Sequence, residues 1–299
     1  MAYTSVEKIS KLDSWILASR PKTLLAAVVP VIVGSALAVY DGSFKPLAAF
    51  VALLCSVLIQ VGTNFTNDLY DFLKGTDKKE RSGPHRALAS GWLTANEMKM
   101  AVSLTYGIAF VLGLYLVYLG GLPILIIGIL SILAGFAYTA GPYPLAYNGL
   151  GDIFVFLFFG LVGTIGTFYV QAMKVTPLVF WSSIPVGALI TNILVVNNYR
   201  DTEEDKIAGK KTLAVLFGKR FARYQYVFFM IVSYLTPLVV YFTFKQNAWV
   251  FLPLLTFPIS FKLVKMIFTL EGKQLNKTLE LTARLSLLYG ILFAIGILI

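Results

Sequence analysis

The stretch "PLAAFVALLCSVLIQVGTNFTNDLYDFLKGTD" (residues 46–77) joins an apolar run directly to a polar, acidic segment. Its first eighteen residues carry no charge, and that length is close to what an α-helix needs to cross a bilayer. Two amides and three carboxylates follow within the next fourteen residues. The pattern predicts a membrane helix that ends in a cluster of oxygen ligands.

The composition of the whole chain indicates an integral membrane protein. The chain has 299 residues, of which 58% are hydrophobic and only 13% are charged, whereas a soluble domain usually carries about 25% charged residues. Its mean hydropathy is +0.77. Apolar segments recur from end to end without a polar linker, so we expect a single domain over residues 1–299.

Nine apolar segments have roughly the length that a helix needs to span a membrane. We therefore predict an all-α integral membrane protein with about nine transmembrane helices, at residues 23–40, 46–66, 98–118, 121–139, 152–171, 177–196, 225–245, 248–267 and 279–299. Before the first span, residues 1–22 place Val6, Ile9, Leu12 and Ile16 at helical spacing. This spacing predicts an amphipathic segment at the membrane interface.

Basic residues are distributed unequally between the predicted loops. They concentrate in the N-terminal segment and in two long polar loops, at about residues 67–97 and 197–224, while the opposite loops hold only three lysines. The positive-inside rule therefore predicts a cytoplasmic N-terminus. Four predicted spans separate the long loops, and this even number puts both on the same side. The net charge of +10 reflects this topology, so we expect no nucleic-acid partner.

Two acidic sets lie where these long loops begin. In the first, four side chains at i, i+3, i+4 and i+7 share one helix face if the helix continues past its apolar run, and they are Asn64, Asn67, Asp68 and Asp71. In the second, three side chains at i, i+4 and i+8 do the same, and they are Asn197, Asp201 and Asp205. Asn198 stands beside the second set.

The residue types in these sets suit a magnesium and diphosphate site. Carboxylate and amide oxygens are hard ligands, and Mg²⁺ usually takes one or two carboxylates together with phosphate oxygens of a substrate. The negative end of each helix dipole also favours a cation. Basic side chains near both sets can contact the outer oxygens of a phosphate group. The alternative is that these polar groups only solvate the ends of membrane helices.

A diphosphate site at one end of a lipid-facing cavity suits a polyprenyl diphosphate as substrate. The chain contains 23 Phe and 16 Tyr, and rings that line such a cavity stabilise an allylic cation through their π faces. Mg²⁺ neutralises the leaving diphosphate in chemistry of this kind. The alternative for these rings is contact with lipid, where Phe is common.

Four stretches resemble the UbiA superfamily of intramembrane prenyltransferases, and within it the 1,4-dihydroxy-2-naphthoate polyprenyltransferase branch. They are "RPKTL" (20–24), "QVGTNFTNDLYDFLKGTD" (60–77), "GPYPLAYNGLGDIFVFLFFGLVGTIGTFYVQ" (141–171) and "NNYRDTEEDKIAGKKTLAV" (197–215). The resemblance implies nine helices around a central lipid-open cavity, in the plasma or inner membrane, with the active site on the cytoplasmic side. It also implies Mg²⁺ as cofactor and two substrates, a polyprenyl diphosphate and 1,4-dihydroxy-2-naphthoate.

The resemblance assigns roles to particular residues. It implies two metal-binding sets whose four aspartates are catalytic: Asn64, Asp68 and Asp71, and then Asn197, Asp201 and Asp205. Further candidates for substrate binding are Lys210 and Arg86 at the diphosphate, Asn198 beside the second set, and Arg20 and Lys22 from the N-terminal segment. The third acid of the first motif, Asp77, stands two positions later than in most of the superfamily and beyond Gly75.

The reaction of this branch replaces the carboxyl group of dihydroxynaphthoate with the prenyl chain. It releases CO₂ and diphosphate and gives demethylmenaquinone. Asp152 is a candidate base or acceptor contact, although an acid near a helix N-terminus is also favourable to the helix dipole alone. Tyr138 is a candidate wall residue of the substrate site.

Two other functions remain open at the level of sequence. Another member of the superfamily would prenylate a 4-hydroxybenzoate, homogentisate or haem acceptor. An ion-coupled membrane transporter would use intramembrane Asn and Asp side chains to carry ions. Transporter sites usually lie near the bilayer midplane, whereas these acids cluster at the ends of spans, which favours the enzyme.

Overall fold

The computed structural model describes residues 9–76 and 82–299, and within these ranges the regular structure is helical throughout. The helices are α1 (Lys11–Ser19), α2 (Pro21–Tyr40), α3 (Pro46–Leu73), α4 (Ala95–Ala137), α5 (Gly151–Ala172), α6 (Pro177–Arg200), α7 (Thr202–Ile207), α8 (Leu213–Phe244), α9 (Ala248–Thr269) and α10 (Leu275–Leu298). Two single 3₁₀ turns, Leu145–Tyr147 and Gly272–Gln274, precede α5 and α10.

Local sequence signals explain where many of these helices begin. Proline stands in the first turn of α2, α3 and α6, where its fixed φ suits a helix and its missing N–H costs no hydrogen bond. Helix α4 starts with a capping box, in which Thr94 and Glu97 each bond the backbone N–H of the other. The Thr212 side chain caps α8 in a similar way by accepting from the Val215 N–H.

Eight of the described helices, all but α1 and α7, are long and apolar enough to cross a membrane. Helix α4 accounts for two passes, because its 43 residues turn back at Gly121, whose φ is 66° and ψ is −156°. Tyr106 and Gly135 lie on opposite sides of this turn, yet a Cβ on Gly135 would stand 2.9 Å from the Tyr106 hydroxyl. A straight helix would separate them by roughly 43 Å. The nine predicted passes are therefore confirmed.

Several helices run further than the apolar segments that predicted them. Helix α3 continues to Leu73 and α6 to Arg200, so both acidic sets remain on helical backbone or directly after it. Hydropathy marks only the part of a helix that lies in lipid, and polar residues do not end a helix by themselves. Helix α5 contains an unpredicted π segment, Phe156–Val162, and α9 begins as a 3₁₀ helix, Ala248–Thr256.

Helix α6 lies at the centre of the packing, and most of its residues are buried. Its apolar side chains form one core with those of α2, α8 and α10, in which Leu189, Tyr226 and Tyr289 are almost fully buried. Buried hydroxyls are satisfied across helices, as where Tyr226 and Thr282 lie 2.9 Å apart. Helices α3 and α4 pack together in a second region around Phe65, Leu69 and Met98.

The N-terminal segment is helical over Lys11–Ser19, with Ser10 as its N-cap. Leu12, Ile16 and Leu17 are exposed on α1, whereas Trp15 packs edge-on against Phe65 of α3, with 5.5 Å between ring centroids. Exposed apolar residues on a short helix are compatible with the predicted interfacial position, which remains a prediction. Residues 1–8, including Val6, lie outside the described residues.

Glycine allows α5 and α6 to approach closely at the π segment. A Cβ on Gly187 would lie 2.9 Å from the Phe156 carbonyl oxygen and 3.1 Å from the Gly160 Cα. Both obstacles are backbone atoms, which cannot turn aside as a flexible side chain can. The two helices can therefore keep this separation only if position 187 carries no side chain.

We expect Gly187→Ala to lower stability by about 1–3 kcal/mol through overpacking. The matched control is Gly107→Ala in α4, where an added Cβ meets no atom within 4 Å, and where alanine should stabilise the helix slightly. Thermal unfolding in detergent, followed by tryptophan fluorescence, measures both. Equal midpoints for the two variants would contradict the proposed close contact.

Candidate functional site

A cavity of about 370 Å³ lies between α2, α3, α4, α5 and α6. One end is lined by polar and charged side chains, and these are Arg20, Asn64, Asn67, Arg86, Tyr138, Asn197, Asn198, Asp201, Asp205 and Lys210. The remainder is mostly apolar and includes Phe154, Phe158 and Phe159 from α5, with a few neutral polar side chains such as Gln60 and Ser131. The structure thus places a charged head region and an apolar chamber in one continuous space.

The two acidic sets meet at the polar end of this cavity. Lys210 connects them, since its Nζ lies 3.0 Å from Asp71 Oδ2 and 4.0 Å from Asp205 Oδ1. Lys210 follows Gly209, whose φ of 71° lies in the left-handed region that glycine adopts without strain. The chain turns back there and returns the lysine toward α3. The ends of α3 and α6 therefore lie on the same side, as the even number of intervening spans predicted.

The Asp71 carboxylate is fully buried and is surrounded by donor and cationic side chains from several chain segments. The Tyr147 hydroxyl donates to its Oδ1 at 2.7 Å, and Arg86 Nη2 lies 3.7 Å from its Oδ2. The Lys74 ammonium stands 4.2 Å from the centroid of the Tyr147 ring. Burial lowers the pKa of Lys74, and Lys210 acts in the same direction while Asp71 opposes it. Positive charge is thus concentrated around one carboxylate.

The rest of the first set is held mainly by backbone groups. Asp68 Oδ2 accepts from the Ala87 N–H at 3.0 Å, and Asn64 Nδ2 donates to the Ser19 carbonyl at 2.8 Å. Asn67 Oδ1 accepts from Arg86 at 3.2 Å. Asn64 and Asn67 line the cavity, whereas Asp68 lies just behind its wall and is 1% exposed. These bonds attach the loop after α3 and the end of α1 to the acidic face.

The second set is organised around Arg200, one of the basic side chains near the acidic sets that the sequence suggests for phosphate contact but not for this role. Its guanidinium forms a two-bond fork with Asp201, at 2.6 Å and 2.7 Å. It also donates to Asn197 Oδ1 and to Asn276 Oδ1, each at 2.7 Å. The available sequence signal was its place directly before Asp201 and three residues after Asn197. Asn276 lies far along the chain on α10, so sequence spacing gave no sign of it.

Besides Asp68 and Asp71, which are buried and do not line the cavity, two candidate residues lie away from its lining. Lys22 forms an ion pair with Glu280 of α10 at 2.9 Å, so its ammonium already faces a carboxylate on another helix. Asp152 is buried at the start of α5, where it accepts from Gln225 of α8 at 3.1 Å.

Tyr138 does line the cavity, with its hydroxyl beside Gly151. Asp77 lies outside the described residues.

The donor set at the polar end suits Mg²⁺ that is bound together with a phosphate group. Within residues 9–76 and 82–299 no three acidic, histidine or cysteine side chains form a closed metal cage. Asn197, Asn198, Asp201 and Asp205, whose side chains all carry oxygen ligands, nevertheless line the cavity. Mg²⁺ commonly takes only one or two protein carboxylates and completes its shell with water and substrate phosphates. The residues present fit that mode of binding.

Residues 27–288 match the UbiA prenyltransferase family. The chain belongs to this family. It is 36% identical to the 1,4-dihydroxy-2-naphthoate octaprenyltransferase of Escherichia coli (strain K12), over 97% of both chains. The fold of this chain also resembles that of solved structures of UbiA homologs.

Two structures illustrate this likeness of fold. The apo structure of a UbiA homolog from Aeropyrum pernix K1 has a TM-score of 0.70 at 16% identity, and the match covers 93% of this chain and 98% of that one. A UbiA homolog from Archaeoglobus fulgidus, solved with GPP and Mg²⁺, has a TM-score of 0.65 at 16% identity over 94% and 99% of the two chains.

Arg200→Ala should destabilise the protein strongly, because it leaves the Asp201 carboxylate buried without its guanidinium partner. Breaking a buried pair in this way costs about 3–5 kcal/mol. Lys174→Ala serves as the control, since it removes a surface ion pair with Asp41 at 2.7 Å, and exposed pairs contribute little. Thermal unfolding in detergent measures both. A small loss for Arg200→Ala, equal to the control, would show that the fork does not support the fold.

Proposed function

We propose that this protein transfers a polyprenyl chain from a polyprenyl diphosphate to 1,4-dihydroxy-2-naphthoate, releasing diphosphate and CO₂ and giving demethylmenaquinone in its reduced, quinol form. The observation that carries the proposal is the single cavity with a charged, oxygen-rich end and an apolar chamber. The name of the Escherichia coli relative supports this acceptor, because the similarity extends over 97% of both chains. The orientation that basic loop residues favour puts the charged end on the cytoplasmic side of the plasma membrane.

The diphosphate is proposed to bind at the charged end. Lys210 and Arg86 both line the cavity there, and their cationic groups suit the outer phosphate oxygens. The oxygen atoms of Asn197, Asp201 and Asp205 would hold Mg²⁺. When bound, Mg²⁺ would neutralise the negative charge that develops on the departing diphosphate.

The apolar chamber is proposed to hold the prenyl chain and the reactive cation. Phe154, Phe158 and Phe159 line it, and aromatic faces stabilise positive charge. The same side chains exclude water, which would otherwise intercept an allylic cation. The allylic C–O bond breaks, and its electron pair leaves with the diphosphate. The electron-rich ring carbon that bears the carboxylate then forms the new C–C bond to the prenyl cation. The bond from that carbon to the carboxylate breaks, CO₂ leaves, and the electron pair of that bond returns to the ring.

The acceptor is proposed to lie between the diphosphate and the opening of the chamber, near Tyr138 and Arg20. Both residues line the polar end. The Tyr138 hydroxyl is protonated and can donate a hydrogen bond to an acceptor oxygen. The Arg20 guanidinium is positive at any physiological pH and attracts an aromatic acid. Asp152 is bonded to Gln225, so its proposed part is to hold the start of α5 in place.

The aspartates of the two sets should be needed for transfer. We expect Asp68→Asn and Asp201→Asn each to lower the Mg²⁺-dependent rate by at least about a hundredfold, a loss of the size seen when one preorganised electrostatic group is removed. Asp41→Asn is the control, because Asp41 pairs with Lys174 outside the cavity. The assay follows a labelled prenyl chain into product. Full activity in either site variant would contradict the proposed site, and an unchanged unfolding midpoint shows that a lost rate does not come from a lost fold.

Acceptor choice separates this function from that of other family members. Purified protein with one polyprenyl diphosphate and Mg²⁺ is given dihydroxynaphthoate, 4-hydroxybenzoate or homogentisate, and the products are identified by mass spectrometry. We expect only dihydroxynaphthoate to react, with loss of CO₂ visible in the product mass. Prenylation of 4-hydroxybenzoate alone would reassign the acceptor, while transfer to none of the three would contradict the proposed acceptor and direct the search to others, such as haem.

A further inference from the structure

One apolar cluster closes the end of the cavity opposite the charged residues. Ala48, Ile124 and Val170 are buried there, and Val117 packs against them. Ala48 belongs to α3 and Val170 to α5, while Val117 and Ile124 lie before and after the turn in α4. Ile124, Val117 and Val170 also line the cavity. In this direction the cavity therefore ends at packed apolar side chains.

Three glycines line the cavity one helical turn before this wall. Each stands four residues from a member of the cluster and so shares its helix face, and the pairs are Gly113 with Val117, Gly128 with Ile124, and Gly166 with Val170. A Cβ added at any of the three would meet no atom within 4 Å. Their missing side chains leave space that belongs to the cavity.

Helix packing does not explain these glycines. Elsewhere in the chain a glycine allows two elements to touch, as at Gly160, where a Cβ would lie 2.7 Å from the Gly187 Cα, and at Gly62, where it would lie 2.8 Å from the Tyr106 ring. Gly113, Gly128 and Gly166 have no such neighbour, and each lowers the intrinsic stability of its helix relative to alanine. Their effect in the structure is to widen the deep part of the cavity.

We infer that Gly113, Gly128 and Gly166 determine how long a prenyl chain the enzyme accepts. This inference rests on the proposed function, because its ligand is an allylic prenyl diphosphate anchored at the charged end. Gly151 stands beside the Tyr138 hydroxyl at that end, and Gly166 lies fifteen residues further along α5, roughly 22 Å by helix rise. A short chain ends before the three glycines, whereas the distal units of a long chain occupy the space they leave open.

The test measures binding and needs no acceptor. The affinities of geranyl diphosphate and octaprenyl diphosphate are determined with Mg²⁺ for the wild type and for Gly→Ala and Gly→Leu variants at positions 113, 128 and 166. We expect the leucine variants to shift the ratio of the two affinities against the long chain by at least about tenfold, since a hydrophobic pocket discriminates on that scale. The alanine variants should shift it less, in the same direction.

Gly107→Leu is the matched control. Gly107 lies in α4, as do Gly113 and Gly128, and its added Cβ would meet no atom within 4 Å. It faces a groove outside the cavity, together with Met100, Leu104 and Val111. It should leave the ratio unchanged. An unchanged ratio in all three leucine variants, or an equal shift in Gly107→Leu, would overturn the inference. Because binding is measured, failure to prenylate any acceptor would count against the proposed function alone.

Discussion

Burial of carboxylates beside cationic side chains is the constraint on which the polar end depends. Asp71 is 0% exposed and Asp201 is 4% exposed, and an ionised carboxylate removed from water is costly unless it is paired and hydrogen-bonded. Lys210 approaches Asp71 from the loop before α8, while Arg200 holds Asp201 through a two-bond fork. The Lys210 contact joins α3 to the loop before α8, and the Arg200 side chain, besides holding its neighbour Asp201, reaches Asn276 of α10. Satisfying these charges therefore also positions α3, α6 and α10.

This arrangement places positive and negative groups side by side around one end of an otherwise apolar chamber. In low dielectric such groups interact far more strongly than they do in water. A substrate that carries a diphosphate and an accompanying metal ion brings charges of both signs, which can exchange partners with groups already present. An ordinary hydrophobic ligand could not offset the cost of opening these pairs. The charged end and the chamber therefore favour the same amphipathic class of molecule.

The sequence predicted the spans and the two acidic sets well, because both depend on short-range periodicity. Asn64 and Asp71 share a helix face, as their spacing of seven residues suggests, because α3 remains helical past both of them. It did not predict Asn276 or the ion pair of Lys22 with Glu280, because those contacts join α6 and α2 to the last helix. The π segment in α5 was also missed. It lies where the backbone of α5 closely approaches Gly187, and hydropathy contains no information about such contacts.

The contact between Arg200 and Asn276 has a consequence for how the protein is made. The Asn276 side chain also donates to the Ser82 carbonyl at 3.0 Å. The side-chain amide of Asn276 thus joins the end of α6, the loop after α3 and α10. Glu204 of α7 accepts from the Ser82 N–H at 2.7 Å. Synthesis proceeds from the N-terminus, and Asn276 belongs to the final helix. The acidic end therefore remains incomplete until the last span has entered the membrane. A chain that stalls before that point has most of its helices but has not yet assembled its charge network.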